Sequence, residues 1–156
     1  MAQWHLWRRS SAPGRDRECG QALVETALIF PLLIAILLGA AELARVAFAA
    51  IEVANAARAG AQYGAQNGFT ASDTSGIATA ASSDASNLTG LTTTSSYRCV
   101  CSDGTSSTCL TSDCASSHIE QTLTVNTTLT FDPVIHLPGL PKTYTLTGQA
   151  IQKCAQ

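Results

Sequence analysis

Hydrophobic patterning divides this chain into segments with different periods. From Thr26 to Ala41, sixteen consecutive residues carry no charge, and Glu25 stands alone at their N-terminal edge. A run that is apolar on every side suits lipid rather than a protein surface. From Glu42 the pattern becomes amphipathic and alanine-rich, with Glu42, Arg45, Glu52, Asn55, Arg58 and Gln62 supplying a polar face. The two stretches together predict one long helix from Gln21 to about Gln66, which at ~1.5 Å per residue would measure roughly 70 Å and protrude well beyond a bilayer. Pro31 should kink or loosen its first turns. Gly64 and Gly68 supply the stop, and Glu42 and Arg45, three residues apart, can pair on one face.

Small residues recur along the rod at three- and four-residue spacing, among them Gly39, Ala40, Ala44, Ala47, Ala54, Ala57, Gly60, Ala61 and Gly64. Such spacing lets another helix approach closely. A second helix is expected from Asp73 to about Asn87, capped by Thr70 or Ser72, with an alanine face that must pack tightly because it buries little area. Beyond it the period changes from helical to two. Thr94–Cys101 is a candidate strand. Leu123–Phe131 is a clearer one, with Leu123, Val125, Leu129 and Phe131 on one face. Thr143–Ile151 places Tyr144, Leu146 and Ala150 together. The intervening stretch Asp132–Pro141 holds three prolines, which dictate a rigid loop. The fold class is therefore α+β: a long transmembrane and protruding helix, a short second helix, and a small antiparallel sheet cap with one wet face.

Charge adds an orientation. Only 13% of residues are charged, low for a soluble protein. Residues 1–20 carry four arginines against two carboxylates, whereas residues 21–156 carry five cations against nine carboxylates. A basic leader before an apolar run places the N-terminus in the cytoplasm and the C-terminal part outside. The domain plan is a leader at 1–20, the membrane and assembly helix at 21–67, and an extracytoplasmic cap at 68–156. No basic patch beyond the leader suggests nucleic-acid binding.

Candidate chemistry is sparse. His5, His118 and His136 stand in no recognisable catalytic or metal-binding arrangement, so nothing supports an enzyme, a cofactor, a metal or a small-molecule substrate. Five of the six cysteines (Cys99, Cys101, Cys109, Cys114 and Cys154) fall in the exported part, where disulfides persist. Their spacing makes a poor zinc knuckle. Two disulfides are expected within 99–114, each joining Cys99 or Cys101 to a downstream partner, with the connectivity open. They would staple a loop with few apolar residues, each closed loop worth ~3 kcal/mol in the chain-entropy model. Cys154 leaves an odd count.

Glu25 needs its own explanation, because a charge in the bilayer centre costs roughly 2.5–3.5 kcal/mol on insertion scales. Gly20-Gln-Ala-Leu-Val-Glu25-Thr-Ala-Leu-Ile-Phe-Pro31, the leucine run after it, Glu42-Leu-Ala-Arg45 and Asn55-Ala-Ala-Arg58-Ala-Gly-Ala resemble the TadE-like family. These are pilin-like proteins of tight-adherence (Flp/Tad) pilus systems. The resemblance implies cleavage by a prepilin peptidase between Gly20 and Gln21. It also implies that Glu25 neutralises the new ammonium of a neighbouring subunit during assembly. It implies a minor pilin-like, or pseudopilin, component held in the bacterial inner membrane, with its cap periplasmic or at the cell surface. Its partners would be other pilin-like subunits and the assembly machinery. Thr26 departs from the pattern, since processed relatives often carry an aromatic there. The competing reading is an extracytoplasmic binding module, secreted or anchored, unrelated to pilus assembly. Leu37-Leu-Gly-Ala-Ala41 offers a site for an ordinary signal peptidase, but such a cut would interrupt the helix and strip the alanine face of its partner.

Overall fold

The computed structural model describes residues 15–136 and 141–154. The N-terminal part of the basic leader, with Arg8, Arg9 and His5, and the stretch 137–140 of the proline-rich loop lie outside the described residues. Helix α1 runs from Arg15 to Gly64 and continues through Pro31. Two shorter helices follow, α2 (Gly68–Ser72) and α3 (Thr74–Asp84), then strands β1 (Thr92–Cys101), β2 (Ser106–Ser107), β3 (Ile119–Phe131) and β4 (Tyr144–Lys153).

The turn after α1 departs from the expectation of a single helix capped by Thr70 or Ser72. Asn67 instead caps α2, its side-chain oxygen accepting from the backbone N–H groups of Phe69 and Thr70 at 2.9 and 3.0 Å. The Thr70 hydroxyl in turn accepts from the Asn67 N–H at 3.1 Å, a reciprocal capping box. Asp73 then caps α3 by accepting from the Gly76 N–H at 2.9 Å and the Ser75 hydroxyl at 2.8 Å. A carboxylate accepts these bonds more strongly than a hydroxyl. The cap therefore falls on Asp73 and the helix starts one residue later.

All four strands form one antiparallel sheet in the order β2-β1-β3-β4. Central β3 begins four residues before the expected Leu123, because its first residues pair with the end of β1 (Cys101 opposite Ile119, Arg98 opposite Thr122). Along β3, Leu123, Val125 and Leu129 are buried as the period-two pattern requires, and Phe131 is half-buried. Thr127 is buried with them and makes up its polar cost: its hydroxyl donates to the Val53 carbonyl of α1 at 2.7 Å. The opposite face is wet and carries pairs such as Gln149 with Asn126 at 2.8 Å.

The core lies between this sheet, α3 and the second half of α1. Ala49 and Val53 meet Leu129, while farther along α1 Ala61 meets Leu123 and Val125. This half of α1 therefore runs antiparallel to β3. Ala56 packs against Ala81 and Ala85 of α3. Ala56, Gly60 and Gly64 thus admit a close helix neighbour, α3 of the same chain, whereas Ala40, Ala44 and Ala47 stay exposed. Closest approach falls at Gly148 of β4, where an added Cβ would lie 2.6 Å from the Val53 carbonyl oxygen and 2.8 Å from the Ala54 Cα. Both are backbone atoms and cannot swing aside. Gly148→Ala is expected to lower stability by about 1–3 kcal/mol, the usual cost of overpacking; urea unfolding of the full chain in detergent measures it, and an unchanged midpoint would show the contact to be yielding.

Candidate functional site

The chain separates into two compact units, Met1–Ala41 and Glu42–Gln156. In the first, α1 shows its apolar side chains to the surroundings: Leu23, Val24, Leu28, Phe30, Leu32 and Leu37 are all exposed. Among the described residues, Gly20–Gly64 contains the one stretch long and apolar enough to cross a membrane, and none of its most apolar window is buried. Gly20 to Ala41 measures ~33 Å at the helical rise, close to one hydrocarbon thickness. Glu25, exposed and on the same helix as Gly20 and Gln21, lies about five residues, or roughly 7 Å, inside the N-terminal end of that segment. Thr26 does not add a second unsatisfied group, because its hydroxyl donates to the Ala22 carbonyl at 2.8 Å.

Glu42, the first residue of the second unit, joins several elements. Its carboxylate accepts from the Arg45 guanidinium at 3.1 Å, the expected pair at a spacing of three. It also accepts from the backbone N–H of Val134 in the β3–β4 loop at 3.1 Å. Arg45 lies over the Phe131 ring, 5.5 Å from its centroid. Helical spacing reveals the first contact, but nothing local in the sequence points to a loop ninety residues away. Farther along, Ala56, Ala57, Gly60 and Ala61 are buried beneath α3 and the sheet, while Asn55 and Arg58 stay exposed and bond each other at 3.3 Å. The Asn87 side-chain amide donates to the Glu52 carboxylate, its Nδ2 lying 2.9 and 2.8 Å from the two oxygens, and ties the segment after α3 to α1.

At the other end of the sheet, the β1–β3 connection is held by disulfides Cys99–Cys109 and Cys101–Cys114. The pairing left open by the spacing is thus resolved with each strand cysteine joined to one downstream partner. Cys109 adopts a left-handed backbone, φ 73°, which disfavours a residue with a Cβ. Its cross-link and its N–H bond to the Ser107 hydroxyl at 3.0 Å hold it there. Cys154 is unpaired and buried in the core beside Leu123 and Val125, where burial pushes its thiol pKa up and makes it a poor nucleophile.

Asp113 organises the lobe. Its carboxylate accepts from the Thr108 N–H and hydroxyl, the latter at 2.7 Å, and from the Ser107 hydroxyl at 3.1 Å. The Thr108 bonds, hydroxyl foremost, hold its pKa below the ordinary carboxylate range. A folded-state pKa below the unfolded one stabilises at neutral pH and loses that stabilisation as pH falls below ~4. Asp113→Asn is expected to flatten the acid limb of the stability profile, and an acid limb matching the unaltered chain would count against this role. Removing one cross-link with Cys101→Ser and Cys114→Ser together should cost roughly 2–4 kcal/mol by urea unfolding under oxidising conditions.

Comparison with known proteins bears on one part of this arrangement. Neither curated proteins nor solved structures yield a match. A protein-family model does match, over residues 20–62, and its description is TadE-like protein. The matched stretch starts at Gly20, contains Glu25 and the whole exposed apolar segment, and ends within the buried face that seats the sheet. Residues 20–62 are thus similar to the TadE-like family, and with the apolar helix they fit a component of a tight-adherence pilus.

Proposed function

We propose that this protein is a minor pilin-like (pseudopilin) component of a tight-adherence pilus apparatus. It is held in the inner membrane by the Gly20–Ala41 part of α1, with unit Glu42–Gln156 on the outer side. Cleavage after Gly20 makes Gln21 the first residue and Glu25 the fifth. The carboxylate then meets the ammonium of a neighbouring subunit, and two isolated charges at the membrane edge become one ion pair. The observation that carries this reading is the placement of Glu25 just inside an exposed apolar helix of one-bilayer length, within a TadE-like segment. A folded unit of this size, with its cross-linked lobe, suits a subunit that initiates or tips a fibre more than one that repeats along it.

A released binding module is the competing function, and the structure removes one objection to it. The alanine face after Ala41 has its partners inside unit Glu42–Gln156, so a cut near Glu42 would leave that unit's core intact. Intact mass of the protein recovered from membranes separates the readings. A chain beginning at Gln21 is expected. A chain beginning near Glu42 would replace the pilin reading with the released module. For the processed protein, Glu25→Ala should leave cleavage in place and reduce incorporation into assembled fibres roughly tenfold or more, the effect of ~1.4 kcal/mol.

A further inference from the structure

We infer that the outer edge of β4 is a docking site for an extended strand of another protein, one carrying a carboxylate that meets Arg58. Only unit Glu42–Gln156 is involved, so neither the membrane anchor nor pilus assembly enters. Strand β4 ends the sheet. Its register with β3 is unbroken from Tyr144 to Lys153, and the Cys154 N–H continues it by donating to the Gln121 carbonyl at 2.9 Å. Backbone groups alternate sides along an antiparallel strand. The even-numbered residues therefore face β3, and Thr145, Thr147, Gln149, Ile151 and Lys153 turn their N–H and C=O groups outward. These residues are all exposed, and no other backbone group among the described residues bonds to them. Free edges are usually blunted by proline, by a bulge or by charge. Here β4 has neither proline nor bulge, and its one charge, Lys153, is held by Glu120 at 2.8 Å.

Beside this edge, α1 and β4 enclose an open cleft of about 370 Å³, lined by Arg58, Ala61 and Gln62 and by residues 149–152. Ala150 and Gln152 lie on the face of β4 that meets α1, so an added strand would place every second side chain in the cleft. Small Ala61 and Ala150 leave it room, and Arg58 supplies a cation. Neither residues 53–64 of α1 nor β4 contains a carboxylate. Among the described residues, the Arg58 guanidinium bonds the neutral Asn55 amide oxygen at 3.3 Å and forms no ion pair. A lone anion would use Arg58 but leave the outward backbone groups of β4 unpaired, whereas a strand uses both. A second copy of this chain does not complement the site. Its β4 brings Lys153 and no carboxylate. The part of its β1 not covered by β2, residues 92–98, ends in Arg98 and also lacks one. Charge therefore selects a different protein.

NMR-detected hydrogen exchange on the full chain in detergent tests this, with the peptide acetyl-Ser-Val-Thr-Val-Glu-Val-Thr-Val-Ser-amide and its counterpart with lysine for glutamate. At a glutamate-peptide concentration about ten times its Kd, the amides of Thr147, Gln149 and Ile151 should exchange roughly tenfold more slowly. The amides of Gly148 and Ala150, already in the ladder, should not change. Arg58→Glu should reverse the preference, the lysine peptide then binding about tenfold more tightly than the glutamate peptide. Ile151→Pro removes one outward donor and no ladder bond, and should weaken binding about tenfold. The charge reversal decides the matter if that variant fails to fold. No slowing at any peptide concentration would overturn the proposal. So would binding that perturbs Arg58 without slowing alternate amides, which would assign a carboxylate site and no strand. Equal slowing by both peptides would remove Arg58 from the site and overturn it as well. Slowing that grows with protein concentration and needs no peptide would give the edge to a second copy, again overturning it.

Discussion

The folded unit depends on how closely the backbone of α1 can lie against the sheet. At Val53 the helix carbonyl accepts the Thr127 hydroxyl at 2.7 Å, and Gly148 leaves the space this approach requires. A helix faced with leucine would stand farther off and lose that bond. Alanine buries little area per residue, so stability here comes from many short contacts rather than a few large side chains. The same logic explains Gly60 and Gly64, where an added Cβ would press on Ile77 of α3 and, at Gly64, also on Leu123 of β3. Glycine is a poor helix former, costing about 1 kcal/mol against alanine. Its presence on this face follows from the space the neighbours occupy.

One helix therefore has to satisfy two solvents. Up to Ala41 it is apolar around its circumference, as hydrocarbon demands. From Glu42 its faces diverge, with small residues toward the sheet and α3, and polar or larger residues outward. The change coincides with the boundary between the two compact units. Glu42 and Arg45 mark it with a local ion pair. The same carboxylate also fastens the β3–β4 loop, so the first charged residue after the apolar run also serves the packing of the folded unit. The TadE-like segment crosses this boundary. Among its later residues, Ala56, Ala57, Gly60 and Ala61 have a plain structural task in burying the helix under its own cap.

Much of this organisation is legible from period alone. The uncharged run, the amphipathic stretch after it, and the alternating Leu123, Val125, Leu129 and Phe131 each reveal an element and a buried face. What stays hidden depends on partners distant in the chain. Strand β2 has only two residues, too few to leave a period, and exists because Cys99 and Val100 need neighbours. Thr127 looks like an intruder on an apolar face until the Val53 carbonyl is seen above it. Asp73 competes with two nearby hydroxyls for the cap, and the stronger acceptor wins. Cysteine spacing shows that cross-links are needed, while their connectivity depends on the sheet register that brings β2 alongside β1.

The direction of β3 connects these details to function. Because α1 and β3 are antiparallel, the β3–β4 loop lies at the Glu42 end of the unit and the β1–β3 connection lies at the Gly64 end. Along α1 these ends are separated by 22 residues, roughly 33 Å at the helical rise. The near end is held by Glu42, whose carboxylate fastens the β3–β4 loop to α1. The far end has no such support, and a lobe built from serine, threonine and aspartate cannot order itself by burial. Two disulfides and the Asp113 hydrogen bonds supply that order instead. The thiol of Cys154 is removed from the exchange by burial in the core. A polar lobe fixed by its own cross-links is free to differ in sequence without disturbing the packing of α1 on β3, which separates what the folded unit presents from how it is held together.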